Sequence, residues 1–144
     1  AGDAVMNVQT TPEMLMAAMG DRARAAARVL AAAPTAVKAK AVRAMAAAIR
    51  AQAGAIAAAN DVDMANATQL SPAMEDRLKL TPERIEGVAT GLDAVAGLPD
   101  PVGETIAAWE RPNGLAFRRV RVPLGVVGII YESRPNVTAD AGAL

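Results

Sequence analysis

The stretch that most constrains this sequence is short. Val126-Val127-Gly128-Ile129-Ile130-Tyr131 carries no polar residue in alternation and is rich in β-branched side chains. A strand with one wet face alternates. This run does not, so both of its faces need cover, as in a parallel strand lying between layers of helices. Such a strand also needs parallel neighbours, and no second run of this kind is visible in the 144 residues. The expectation is an α/β chain in which 126–131 is the first strand of a parallel sheet, its sheet partners lying beyond Leu144. On that reading the chain is the N-terminal portion of a larger α/β enzyme. Were the run to lie against solvent, or only among the chain's own helices, that physical support would be lost.

Everything before residue 104 reads as helix. The chain contains 36 alanines, a quarter of its length. Alanine favours helix but buries little area, so the composition predicts many helices around a modest core. Residues 1–10 read as a leader. Thr11-Pro12-Glu13 combines a cap, a proline suited to the first turn and an acid at the positive end of the helix dipole. The helix it starts is predicted to run to Ala33, with Leu15, Met19, Ala26 and Leu30 on one face and Pro34 as its stop. A second helix, capped by Thr35, is predicted over about 36–59 from Val42, Met45, Ile49 and Ile56. Asn60-Asp61 is expected to interrupt it before a short helix to about Thr68. Ser71-Pro72 and Thr81-Pro82 repeat the cap-then-proline signal. The helix from Pro82 spaces Ile85, Val88, Leu92 and Val95 along one face, and Leu98-Pro99-Asp100-Pro101 closes the helical part.

From Glu104 the composition changes to β-formers. Glu104–Glu110 and Leu115–Val122 read as two strands joined by Arg111-Pro112-Asn113-Gly114, where Asn-Gly supplies the positive φ a tight hairpin needs. Arg118, Arg119 and Arg121 alternate with apolar residues in the second strand. They suit a solvated strand face, with an anion site as the sharper alternative. After Pro123-Leu124-Gly125 and the apolar run comes a polar loop, Glu132-Ser133-Arg134-Pro135-Asn136, and then a helix start at Val137.

The chain has no cysteine and no histidine. That removes disulfides, Cys/His metal sites, thiol nucleophiles and histidine bases from these residues. Fifteen basic and fifteen acidic residues cancel, which argues against nucleic acid and against a polybasic membrane contact. There is no apolar run of about 18 residues and no visible secretory signal at the start of the chain, so a cytoplasmic location is expected. Chemistry is best sought in the loop after the apolar strand, because open parallel sheets bind ligands beyond the carboxyl ends of their strands. Asn136 there is a neutral, orientable donor for a developing oxyanion. Arg134 can grip a phosphate or carboxylate. The plainer alternative is that Ser133 and Asn136 are turn and cap residues and Arg134 a surface charge. Gly125 and Gly128 make no G-x-G-x-x-G fingerprint.

The segment P-L-G-V-V-G-I-I-Y-E-S-R-P-N-V-T-A-D, residues 123–140, resembles the signature of γ-glutamyl phosphate reductase, also called glutamate-5-semialdehyde dehydrogenase, in the aldehyde dehydrogenase superfamily. S-P-A-M-E-D-R-L-K-L-T-P-E-R-I at 71–85 and L-P-D-P-V-G at 98–103 resemble the same family. The resemblance implies a helical N-terminal part of the cofactor domain over 11–103, an oligomerisation hairpin over 104–122 and the start of the parallel-sheet domain over 123–144. It implies NADPH-dependent reduction of L-glutamyl 5-phosphate to L-glutamate 5-semialdehyde and phosphate, in proline biosynthesis, through a cysteine thioester. Asn136 takes the position of the superfamily's oxyanion donor. The loop Tyr131, Glu132, Ser133, Arg134 and Pro135 would lie against the cofactor. The usual Pro-Trp-Asn of the superfamily sits closer to the Gly-x-x-Gly than Pro135-Asn136 does, so the cofactor contacts are the looser part of the carry-over. A small-molecule substrate, a homo-oligomer built through the hairpin and a functional association with glutamate 5-kinase fall within the same implication. No metal is expected. Since the nucleophilic cysteine is absent, the 144 residues alone are expected to be inactive. Two alternatives stay open: another aldehyde-dehydrogenase-type enzyme, disfavoured by the E-S-R-P-N loop, and a non-catalytic helical module, disfavoured by the apolar run.

Overall fold

The computed structural model describes residues 11–132 and 134–144; the leader expected at 1–10 lies outside them. The first helix, α1 (Pro12–Ala32), begins at the Thr-Pro-Glu signal, and Thr11 Oγ1 accepts a hydrogen bond from the Met14 N–H at 3.3 Å. The same device starts α5 (Pro82–Ala96), where Thr81 Oγ1 accepts from the Arg84 N–H at 3.2 Å. Between them lie α2 (Thr35–Ala51), α3 (Ala53–Asn66) and α4 (Pro72–Leu78). Thr35 does not cap α2. Its hydroxyl donates to Asp100 Oδ2 at 3.0 Å, and Pro34 holds the cap position. Ser71 precedes α4 without a side-chain cap bond.

The middle of the helical part departs from expectation. The break predicted at Asn60-Asp61 falls instead at Gln52, whose φ of −105° and ψ of 13° separate α2 from α3. The α3 helix runs straight through Asn60. The reason is that Asn60 is buried and its amide is engaged elsewhere. Asn60 Nδ2 donates to the Leu78 carbonyl at 2.9 Å, and Asn60 Oδ1 accepts from the Leu80 N–H at 2.7 Å. Asparagine usually competes with helix by bonding its own backbone. Here the connection between α4 and α5 absorbs both ends of the amide, and the helix continues.

The core is small and built on alanine, as composition implies. Ala46 of α2 meets Ala89 and Leu92 of α5, with Val42, Met45 and Ile49 packed around them. The face α5 buries is Ile85, Ala89, Leu92 and Ala96. Val88 and Val95, expected on that face, sit half-buried at its margin. Two alanines with no exposed area at the contact leave the helices little to hold them apart. Around this seam, Arg50 of α2 reaches across to Glu86 at 2.7 Å and Asp93 at 2.8 Å on α5. The Arg50 hydrogen bonds hold the Glu86 carboxyl below its ordinary range, against the pull of burial. Lys38 pairs with Asp100, closing the far end of the same helix pair.

The hairpin forms where the turn chemistry put it. The strands β1 (Thr105–Glu110) and β2 (Ala116–Val120) pair antiparallel, with Trp109 opposite Phe117 and an irregularity between Thr105 and Ala107. Gly114, at φ +83°, closes the turn. Its N–H bonds the Arg111 carbonyl and the Arg111 N–H bonds the Leu115 carbonyl, each at 2.9 Å. That is a four-residue turn closed by a left-handed glycine, longer than the two-residue turn Asn-Gly suggests. The Trp109 and Phe117 rings stack with centroids 5.6 Å apart. Every residue of both strands is exposed. Arg121 pairs with Glu104 at 2.8 Å, which favours the solvated-face reading of that arginine.

Residues 126–131 form no ladder and no helix. They lie against solvent, with Ile130 fully exposed and Val127 65% exposed. The expected parallel strand is therefore not formed within the described residues. A strand exists only when another supplies its hydrogen bonds, and none of the described residues does so here. The run at 126–131 thus gives no structural support to a strand covered on both faces within the described residues. The chain ends in α6 (Val137–Ala143), which packs on α5 through Ala139 and Ala143. The architecture among the described residues is thus six helices and one two-stranded antiparallel sheet.

Candidate functional site

The loop that follows 126–131 is held between helices. Pro135 and Asn136 are half-buried, Arg134 is exposed, and the Val137 N–H bonds the Arg134 carbonyl at 3.0 Å to start α6. Two clefts meet at this loop. One, about 580 Å³, is polar and is bounded by the α4–α5 connection and the loop. Lys79, Glu83, Arg84, Arg134, Asn136 and Asp140 line it, together with Asp76 and Arg77. The other, about 510 Å³, is apolar, lying against Met45, Ile49, Ile56, Ile85, Pro135 and Ala139. Leu80, Val88 and Asn136 belong to both walls. Asn136 thus stands at the seam between a wet cleft and a dry one, where a neutral amide donor can act on a charge that develops next to apolar surface.

Asn136 stands at the N-cap position of α6, the plain alternative, but without the usual cap geometry. Its backbone is already helical at φ −62°, ψ −30°, and its side chain caps no backbone group. Asn136 Nδ2 instead donates to Asp140 Oδ2 at 3.0 Å, which fixes the orientation of the amide. One N–H of that amide group is thereby used and the other is left to donate.

The remaining loop residues part ways. The Tyr131 hydroxyl lies 2.5 Å from Thr138 Oγ1 and so ties the end of the apolar run to α6. Glu132 is exposed. Ser133 lies outside the described residues. Arg134 lines the polar cleft, and Pro135 lines the apolar one. The loop's residues are therefore not all turned to one ligand surface.

Several cleft residues were not singled out from sequence. Lys79 and Glu83 are close in the chain, but Asp140 is remote from both, and only the packing of α6 on α5 brings it into the same cleft. Arg84 is already satisfied: it donates to the Lys79 carbonyl at 2.9 Å, to Asp76 Oδ1 at 2.7 Å and to the Asp76 carbonyl. Glu83 has its carboxyl held below its usual range, chiefly by its own backbone N–H and then by the Thr81 hydroxyl. It is ionised at neutral pH. No ion pair among the described residues engages Arg77, Lys79 or Arg134.

No family model matches the chain. Among solved structures, a γ-glutamyl phosphate reductase from Thermotoga maritima superposes with a TM-score of 0.85 at 40% identity, over 90% of this chain and 32% of that one. The enzyme of the same name from Saccharomyces cerevisiae gives a TM-score of 0.83 at 33% identity, over 94% of this chain and 34% of that one. The fold is that of part of a reductase. Curated relatives narrow the class: proteins named γ-glutamyl phosphate reductase from Rhizorhabdus wittichii and Mesorhizobium japonicum are 68% and 63% identical, each over 132 residues. Over those residues the chain is similar to proteins that bear the γ-glutamyl phosphate reductase name. It covers 90% of itself and 31% of each of these relatives, so it spans about a third of their length.

Proposed function

We propose that this chain is part of an enzyme that reduces L-glutamyl 5-phosphate to L-glutamate 5-semialdehyde, releasing phosphate, in proline biosynthesis in the cytoplasm. The observation that carries the reading is the identity of 56–68% to relatives bearing the reductase name, over 132 to 141 residues. In the proposed reaction a cysteine thiolate from outside these residues attacks the acyl carbon. The carbon–oxygen bond to phosphate breaks and a thioester remains. NADPH, when bound, would supply the hydride by which the thioester becomes the aldehyde and the thiolate is freed.

What this chain contributes is orientation and charge. Asn136 donates to the substrate oxygen as negative charge builds on it, and Asp140 holds the amide in place for that donation. The cofactor wall is proposed to be the loop Tyr131, Glu132, Ser133, Arg134 and Pro135. The fit is that of a wall only. A Cβ built on Gly125 or Gly128 meets nothing within 4 Å, so neither glycine forms a close-fitting phosphate cradle in the described structure. The domain division expected at 103/104 and 122/123 is carried into the proposal, with the exposed 104–122 hairpin pairing with a second subunit. Functional association with glutamate 5-kinase belongs to the same proposal. A self-sufficient helical module is the weaker reading, because α1, the hairpin and 126–131 all leave large apolar side chains exposed.

The test is substrate choice. The complete enzyme is expected to reduce γ-glutamyl phosphate with NADPH and to act poorly on simple aldehydes with NADP⁺. The opposite preference would move it to another aldehyde-dehydrogenase-type activity. The 144 residues alone are expected to reduce nothing, and measurable NADPH consumption by them would refute the thiolate step.

A further inference from the structure

The polar cleft carries more information than a general anion site. Its walls hold both cations and acids: Arg77, Lys79 and Arg134, with no ion pair among the described residues, and Glu83 and Asp140 lining the same cleft. A phosphate dianion placed here would meet those carboxylates as well as the cations, and like charges at close range are costly. A group carrying both signs on one carbon meets each wall with its complement. We propose, resting on the reductase reading above, that this cleft is the subsite for the amino-acid end of the substrate. Lys79 and Arg134 take the α-carboxylate, and Glu83 takes the α-ammonium.

The assignment follows from three features. Arg134 presents a planar fork suited to a carboxylate, and Lys79 adds a point charge beside it. Of the other two cations lining the cleft, Arg84 is occupied by Asp76 and the Lys79 carbonyl and so shapes the wall instead of binding, and Arg77 stands outside the assignment. Asn136 lines the same cleft, so a substrate anchored there by its charged end has its other end within the reach of the oxyanion donor. Anchoring remote charges raises the rate at the reacting carbon by fixing its position. This gives Arg134 a substrate role in place of a cofactor contact, and the two roles are separable.

The experiment assays the complete enzyme and its Arg134→Ala, Lys79→Ala and Glu83→Gln variants with three acyl phosphates. These are γ-glutamyl phosphate, glutaryl phosphate, which lacks the ammonium, and butanoyl phosphate, which lacks both charged groups. The wild type is expected to prefer the first substrate. The two cation variants are expected to cut kcat/KM for γ-glutamyl and glutaryl phosphate by about tenfold or more relative to butanoyl phosphate, and Glu83→Gln to narrow only the gap between γ-glutamyl and glutaryl phosphate. If all three substrates fall in proportion, the residues act through cofactor or fold and the subsite is wrong. It is equally wrong if the wild type uses all three alike. If the wild type reduces no acyl phosphate, the reductase reading itself fails, and that is seen before any variant is made.

Discussion

Two asparagines decide most at the scale of single residues. Asn136 is the candidate oxyanion donor. Its replacement by alanine in the complete enzyme is expected to lower kcat by about 10²–10³, the usual loss for one such donor. A fall below about threefold would make the amide structural. Asn60 is the opposite case, buried and wholly structural, with both ends of its amide spent on Leu78 and Leu80. Asn60→Ala leaves a carbonyl and an N–H without partners and is expected to destabilise the protein by about 2 kcal/mol or more, read from urea unfolding. The two were not equally legible. Asn136 stands out in the sequence because it closes the polar loop inside the 123–140 motif, after an apolar run. Asn60 was misread as a breaker, because a local rule for asparagine cannot know that residues 78–80 will come to meet it. The cleft is hidden for the same reason, since Asp140 joins Lys79 and Glu83 there only through tertiary packing of α6 on α5.

At the scale of elements, legibility followed how local the signal is. Thr11-Pro12, Thr81-Pro82 and the Asn-Gly turn act within four residues, and each appears where it was expected. The face of α5 was only half legible because alanines, counted as neutral, turn out to be its buried centre. Leu92 stands among them as the largest fully buried side chain, and Leu92→Ala is expected to cost about 2–5 kcal/mol by urea unfolding. The α2–α5 pair is also where pH acts. Lys38 first, then the Val102 N–H, hold the Asp100 carboxyl below its ordinary range, as Arg50 holds Glu86. A carboxyl depressed in the folded state binds its proton later than in the unfolded state. Its stabilisation is therefore present above the ordinary carboxylate range, about pH 4, and is lost as pH falls below it. The acid limb of a urea-unfolding series is expected to flatten in Asp100→Asn. An unchanged limb would mean that the Lys38 pair contributes nothing.

The whole molecule shows a helical core with apolar surface left uncovered on several sides. Leu15, Met19 and Leu30 of α1 are exposed, on the face the periodicity identified, and so are Trp109 and Phe117 of the hairpin and the run at 126–131. Periodicity told which side chains want cover but not what covers them. Expressed alone, the 144-residue chain is expected to sediment as aggregates at neutral pH, through the exposed hairpin edges and these faces. A monodisperse monomer in sedimentation velocity would contradict that.

The buried Asn60 amide reaches further than its position suggests. It clamps the connection that carries Lys79 and Leu80, and those two residues form part of the polar cleft's wall. If that wall sorts substrates, a change at position 60 loosens the sorting while most of the molecule still stands. Such a variant would surface in a genetic screen first as a careless enzyme, and only on warming as an unfolded one.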